Sequence, residues 1–396
     1  MSIMLMDCDS FYASCEQLVN PALKGFAVCV LSNNDGCVVA RSAEAKKMGI
    51  KMGMPAFMAK KNFPEAIYIS GRLELYGEIS SRVMCILKDF SPVVEIYSID
   101  EAFIDLKGLR RLYRKPYFEI ASDIRNKIAR EVGIPVSIGI SLTKTLAKLA
   151  SERAKKSCGI YEIGFRDIDN ELKHTSPLEI WGIGDNTASL MKKLGMYTAY
   201  DFVFQSDCFI KKTFGKRGLE LKAELKGELI YPVINENPLP KSVQKTSSFA
   251  KFTSDEQYIK DSLYYHTHRA CKKLRKLGLK AGVAGVMLRT KDFKVFYAKN
   301  NLLKNTNMEF EIFDTVNKLL PEIFMPNILY RSSGIILENL IPADESQLSL
   351  FSPLDETKKY ENITRSWDKL EERYGSNIIK VGNYASKQSR EGFKLN

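Results

Sequence analysis

EIYSIDEAFIDL, residues 95–106, is the stretch on which the reading of the chain turns. Val93 to Ile99 has the apolar, β-branched composition of a buried strand, yet Asp100 and Glu101 follow at its end. Neighbouring side chains on a strand point to opposite faces, so two adjacent carboxylates on one continuous strand could not share a ligand. The apolar halves VVEIYSI and AFIDL therefore predict a hairpin whose bend carries the pair, where regular strand geometry no longer separates them. Asp105 repeats the theme of an acid after apolar residues and reads as structural.

A third acid, Asp7, ends the apolar run IMLM near the N-terminus. A charge beside a core is costly unless it is paired or binds a metal, and neither segment contains a basic residue. Hard oxygen donors from separate strands are what Mg²⁺ uses, and paired ions of this kind serve phosphoryl and nucleotidyl transfer. From the residues alone, capping of a hairpin turn accounts for Asp100 and Glu101 equally well.

Strand and helix patterns alternate around these acids through about residue 165, which predicts a mixed α/β domain with residues 21–75 inserted in it. Apolar residues at 75, 79, 83, 86, 87 and 90 mark a long amphipathic helix, and a second helix is expected over 117–131. Residues 176–230 read as short helices, two of them joined by the GIG of residues 182–184. Three prolines in residues 231–246 mark a linker, a second α/β domain runs to about 340, and a polar tail follows.

The 396 residues exceed one ordinary core and predict several domains. Eight scattered cysteines without a C-x-x-C pair, and only three histidines, argue against a disulfide framework or a zinc site. No apolar run approaches a membrane span and no secretory signal is visible, so a cytoplasmic protein is expected. The net charge of +12 is concentrated: residues 241–300 hold fourteen Lys or Arg against four Asp or Glu. That asymmetry favours a polyanionic partner, nucleic acid first, over an ordinary solvated surface.

MDCDSFYASCE, YSIDEAFIDL and SIGISLTKTLAKLAS, in this order, resemble the palm motifs of Y-family, translesion DNA polymerases, and LSNNDGCVVARSAEAKKMGIKMGMP resembles the UmuC branch more narrowly. The resemblance is collinear from Met4 to about Leu340. It implies a multidomain α/β right hand: a ferredoxin-like palm (1–20 and 76–165), small fingers (21–75), a helix-hairpin-helix thumb (166–232), a linker (233–246), an α/β little finger (247–341) and a tail (342–396). Asp7, Asp100 and Glu101, with the Cys8 main-chain carbonyl, match the ligands of two Mg²⁺ ions, for which Mn²⁺ can substitute. Tyr12 matches the steric gate against ribonucleotides, with Phe11 beside it. Where many members grip the triphosphate with Tyr and Arg, this chain has Ala43 and Lys46, and Lys46 lacks the bidentate fork of Arg. Arg41 is a candidate replacement, Lys155 matches a second phosphate-binding lysine, and Gly36 and Cys37 match the small residues roofing the nascent pair.

The same resemblance implies template-directed, error-prone synthesis across damaged DNA of the SOS type, on dNTPs and without proofreading, in a bacterial, nucleoid-associated enzyme. Gly182 and Gly184 are expected at DNA phosphates, as are Arg269, Lys272, Lys273, Arg275 and Lys276 of the basic helix. Gln347, Leu348, Leu350 and Phe351 match the sliding-clamp pentapeptide Q-L-x-L-F, and a UmuD′-like subunit and a RecA filament are the implied partners. The rival readings are a self-sufficient DinB-like bypass polymerase, against which Ala43 and Lys46 stand, and a non-catalytic DNA-binding scaffold.

Overall fold

A computed structural model describes residues 2–32, 34–235, 239–344 and 354–374. The chain divides into two compact units, Met1–Asn237 and Pro238–Asn396.

The first unit opens with β1 (Ile3–Cys8), buried along its whole length, and α1 (Phe11–Val19). The insertion follows as β2 (Val28–Leu31), β3 (Val38–Arg41), α2 (Ala43–Lys47), α3 (Ala56–Asn62) and β4 (Ile67–Ser70). Its strands form a separate three-stranded sheet, β3-β2-β4, over a small core around Cys29, Leu31 and Val38. α4 (Leu73–Phe90) is the expected long amphipathic helix; it buries Tyr76, Ile79, Val83, Ile86 and Leu87 on one stripe. Next come β5 (Val94–Ile96), β6 (Glu101–Asp105), α5 (Leu109–Tyr113), α6 (Tyr117–Glu131), β7 (Val136–Ser141), α7 (Lys144–Ala154) and β8 (Ile160–Glu162).

These strands build a five-stranded sheet in the order β5-β6-β1-β7-β8, with β1 at its centre and antiparallel to both neighbours. A helix packs unusually closely on it. A Cβ at Gly139 of β7 would lie 2.2 Å from the Ala147 carbonyl oxygen and the Ser151 nitrogen of α7, so only glycine admits this approach. α7 is thereby pressed to the sheet beside β1. The strand expected over residues 93–99 is shorter than its apolar composition indicates: β5 stops at Ile96, because the Tyr97 and Ser98 N–H groups turn to the Glu101 carbonyl and close the hairpin.

Helices complete the unit: α8 (Ile168–Lys173), α9 (Asp185–Lys193), α10 (Ala199–Phe204) and α11 (Asp207–Leu225), the last broken at Gly215, where φ is +69°. The piece expected as a helix before GIG is one 3₁₀ turn, Pro177–Glu179, closed by a reciprocal Ser176–Glu179 capping box. The chain then lies along the β5 edge of the sheet: Ile234 N–H donates to Glu95 Oε2 (2.7 Å) and Asn235 Nδ2 to the Pro92 carbonyl (2.9 Å).

The second unit contains β9 (Ser242–Thr253), α12 (Glu256–Lys276), β10 (Leu279–Thr290), β11 (Val295–Thr306), α13 (Glu309–Ile323), β12 (Tyr330–Pro342) and α14 (Leu354–Tyr374). Its sheet runs β11-β10-β12-β9, and α12 and α13 cover one face through Leu263, Leu274, Val286, Val316 and Ile335. Residues 242–246, read from sequence as the end of the linker, belong to β9: Val243 inserts into this core, which the polar residues around it conceal. Among the described residues, no helix is long and apolar enough to cross a membrane.

Candidate active site

The hairpin bend is real. Asp100 lies in the turn, Glu101 opens β6, and the register sets Asp7 of β1 directly opposite Glu101. The Cys8 N–H donates to the Asp100 carbonyl (2.9 Å), which locks the bend against the end of β1. Ser98 Oγ accepts from the N–H groups of Asp100 (3.3 Å) and Glu101 (3.1 Å) and donates to Asp100 Oδ1 (2.5 Å). Asp7 and the Asp100–Glu101 pair, more than ninety positions apart in sequence, thus lie at one end of the central strand. Asp105, left as structural, accepts the Lys107 N–H at 2.8 Å.

Burial pushes the Asp7 carboxyl up to about 7, with Lys155 pulling it down and Glu101 and Glu152 adding to the rise. Lys155 Nζ donates to Asp7 Oδ2 and to Glu152 Oε1, both at 2.7 Å. Burial works against the Lys155 ammonium, but these acids outweigh it and raise its pKa above the ordinary lysine value. Lys148 Nζ donates to both oxygens of Glu101 at 2.8 Å and lies over the rings of Tyr97 (5.0 Å) and Trp181 (5.6 Å). The acids that lacked basic residues within their own segments therefore receive two lysines from the α7 region. Lys148, Glu152 and Lys155 recur at i, i+4 and i+7, one helix face, and that spacing in KLASERAK was the signal available in the sequence.

The arrangement suits a divalent cation by its donors: oxygen-only, three carboxyls, one of them buried and proton-affine, each satisfied by an ammonium or a hydroxyl. Among the described residues, no group of three or more His, Cys, Asp or Glu side chains is placed to hold a metal ion as the side chains stand. The two lysines hold the positions opposite the carboxylates instead. The Cys8 thiol contacts Met6 Sδ (3.8 Å), and burial, reinforced by Asp7, pushes its pKa well up; only its main chain is at the site.

Beside these acids the structure gathers cations. Lys46 Nζ donates to Ser10 Oγ (2.8 Å), and burial, Lys155 and Arg41 together pull its pKa below the ordinary lysine value. Arg41 Nη1 donates to the Ile50 carbonyl, while its buried Nε has no hydrogen-bond partner. Lys46 thus lies within electrostatic range of both Lys155 and Arg41. Asp9, absent from the sequence-derived set, accepts from Ser137 Oγ (2.8 Å) and is raised by burial. Phe11 is buried, and the Tyr12 ring stacks on Tyr76. Gly36 and Cys37 sit on a loop tied by Ser32, whose Oγ accepts from both N–H groups (3.2 and 3.4 Å). Gly182 adopts a φ of +91°, and Gly184 caps α9, whose N-terminus has no side-chain cap.

The five basic residues of α12 expected at DNA are not equivalent. Arg275 pairs with Asp368 (2.6 Å) and Glu309 (2.8 Å), and Lys272 with Glu371 (2.7 Å), all acids of α13 and α14. These two cations are engaged by acids of their own unit, which arrive from more than thirty residues away. Arg269 Nη1 donates to the Tyr265 hydroxyl (3.0 Å), and Lys273 and Lys276 are exposed. Lys245 of β9 joins Arg269 and Lys273; burial and these two neighbours pull its pKa down. The sheet face away from the helices carries Gln244, Thr246, Gly285, Gly334, Tyr297 and Lys299 together with the half-buried Met287 and Ile336. Gln347, Leu348, Leu350 and Phe351 lie outside the described residues.

The impB/mucB/samB family matches residues 6–152, and its C-terminal domain matches residues 240–350. Protein UmuC of Salmonella typhimurium is 34% identical over 360 residues, 88% of this chain and 85% of that protein. DNA polymerase IV of Dehalococcoides mccartyi strain CBDB1 is 33% identical over 388 residues, 96% of each. Among solved structures, a Y-family DNA polymerase chimera of Dbh and Dpo4 matches with a TM-score of 0.73 at 26% identity, covering 86% of this chain and 99% of that one. An insertion ternary complex of Dbh DNA polymerase matches with a TM-score of 0.62 at 25% identity, over 86% and 99%. Fold and site define a Y-family DNA polymerase, a template-directed nucleotidyltransferase of the translesion, SOS-associated class that works on primer–template DNA. The chain belongs to the impB/mucB/samB family of these enzymes.

Proposed function

We propose that this enzyme extends primers across damaged template bases in the UmuC manner, with the reacting groups collected at Asp7, Asp100 and Glu101. The observation that carries the reading is the register pair Asp7 and Glu101, with Asp100 locked beside them by the Cys8 N–H. These three acids and the Cys8 carbonyl would hold two divalent ions, Mg²⁺ or Mn²⁺. When bound, the ions supply Lewis-acid activation of the primer 3′-hydroxyl and neutralise charge on the departing pyrophosphate.

The chain's own residues do the rest. Lys46, Lys155 and Arg41 receive the triphosphate of the dNTP and orient it toward the acids. Lys155 and Lys148 release their carboxylates as cationic partners arrive, so that the acids never stand unpaired in their buried setting. Tyr12 closes the space a ribose 2′-hydroxyl would need, and Phe11 backs it. Gly36 and Cys37 leave the roof over the nascent pair small, which weakens shape discrimination and makes the synthesis error-prone. Residues 1–20 and 76–165 serve as palm, 21–75 as fingers, 166–232 as thumb with Gly182 and Gly184 at phosphates, and the second unit as little finger.

On the little finger, the open sheet face with Lys299, and the cluster of Lys245, Arg269 and Lys273, are the DNA-facing groups this reading selects. The clamp motif, a UmuD′-like subunit and a RecA filament are the proposed partners, and the proposed setting is the bacterial nucleoid. Primer extension across an abasic site tests the reading: synthesis that requires the added UmuD′-like subunit and RecA filament is expected. Vigorous synthesis by the chain alone would move the assignment to the self-sufficient DinB mode.

A further inference from the structure

Glu16 is a carboxylate with almost no access to water. It lies on α1 four residues after Tyr12, 2% exposed, and receives a bidentate Arg72 guanidinium, Nε on Oε1 at 3.0 Å and Nη2 on Oε2. Its Oε1 also accepts the hydroxyl of Tyr76 at 2.6 Å. Tyr76 is completely buried, and its ring stacks on that of Tyr12 with centroids 4.5 Å apart and planes 17° from parallel. Arg72 and Tyr76 stand at the start of α4, where the chain returns from the inserted residues 21–75. The contacts form one continuous chain from Arg72 through Glu16 and Tyr76 to the Tyr12 ring.

Glu16 is buried but its Arg72 partner is 41% exposed, and so screened a pair contributes little stability, which is weak grounds for its presence. What it does supply is direction: two fixed hydrogen bonds hold Glu16, and Glu16 holds the Tyr76 hydroxyl, which fixes the plane of the Tyr76 ring. A sugar-selecting wall works only if it cannot swing aside when a 2′-hydroxyl presses on it. Tyr12 is only partly buried, and the stacked face of Tyr76 is its support.

We propose that Glu16, held by Arg72 and acting through Tyr76, is a positioning residue that holds the Tyr12 ring in place and so sets how strongly the enzyme rejects ribonucleotides. The inference rests on the reading of Tyr12 as the steric gate. It assigns to Glu16 no contact with substrate.

The test is single-nucleotide incorporation on undamaged primer–template by the full chain, with kcat and KM measured for a dNTP and the matching rNTP. Tyr12→Ala, Glu16→Ala, Glu16→Gln and Tyr76→Phe are compared with the parent. Loss of the aromatic support predicts a fall in dNTP-over-rNTP selectivity of about three- to tenfold in Glu16→Ala, carried by a lower KM for the rNTP. Glu16→Gln keeps an acceptor for the Tyr76 hydroxyl and is expected to recover part of that selectivity. Tyr76→Phe keeps the packed ring and loses only the hydroxyl bond, so it reports the same effect if Glu16→Ala does not fold. In the Tyr12→Ala background the Glu16 substitution is expected to cost no further selectivity, because the wall it supports is gone. Unchanged selectivity in both Glu16→Ala and Tyr76→Phe, or a full additional loss on top of Tyr12→Ala, overturns the positioning role alone. Unchanged selectivity in Tyr12→Ala overturns the gate reading and this inference with it.

Discussion

Asp7 and Lys155 meet at 2.7 Å across 148 positions of sequence, so the buried acid at the end of the central strand already faces a cation. Removing Lys155 strands that carboxylate. Lys155→Gln is expected to lower stability at pH 8 by about 1–3 kcal/mol, the cost of a buried group left without its partner. The loss should shrink on acidification. Burial raises Asp7 to about 7 in the folded protein from an ordinary 3.8, so its protonated form favours folding. Its contribution is present in acid and is lost as pH rises through about 7. Urea unfolding at pH 6 and pH 8 checks this; equal losses at both would contradict it.

Two histidines on α12 titrate in opposite senses. Burial, then Arg269 and Lys245, depress His266 to about 4, so it is neutral in the folded protein and costs stability as pH falls from about 6.5. Burial also works against His268, but its hydrogen bonds to Glu309 (3.1 Å) and Glu371 (3.1 Å) raise its pKa. The His268 contribution is complete below about 6.5 and is lost as pH rises through the raised value. Trp367 stacks on His268 at 4.7 Å and reports this region by fluorescence. His268→Gln is expected to flatten the alkaline limb of a stability–pH curve and leave the acid limb.

Arg275 and Lys273, two residues apart on one helix, predict different phenotypes. Arg275→Ala breaks a pair of buried ion contacts and is expected to cost about 3–5 kcal/mol of stability. Lys273→Ala is expected to leave stability within about 0.5 kcal/mol, as surface changes do. If it touches phosphate, it also lowers the slope of log affinity against log salt by about one. Lys299→Ala on the sheet edge also removes a solvent-exposed pair with Glu338 (2.8 Å) and is expected to cost little stability. Fluorescence-anisotropy titrations of a primer–template across salt concentrations separate these outcomes.

Much of this was legible in the sequence. The hairpin at Asp100 and Glu101 follows from two apolar runs broken by acids, and α4 and α6 follow from helical periodicity. What sequence could not show is distance in space. Lys148 and Lys155 reach the acids only because Gly139 lets α7 press on β7, and Glu309, Asp368 and Glu371 reach α12 from other helices. A basic run reads the same whether its charges face phosphate or carboxylate. The piece before GIG read as a helix by its length, though only one 3₁₀ turn, Pro177–Glu179, forms there. β9 was hidden because an edge strand with a polar outer face resembles a linker.

The central claim is that Asp100 and Glu101, gathered with Asp7, are the reacting centre of a metal-dependent polymerase. Primer extension by the parent and by Asp100→Ala/Glu101→Ala, with Mg²⁺ and after its removal by chelation, tests it most directly. The account predicts extension by the parent with Mg²⁺, none after chelation, and a loss of at least about a thousandfold in the double variant, whose DNA affinity is retained. Normal extension by the double variant would contradict it.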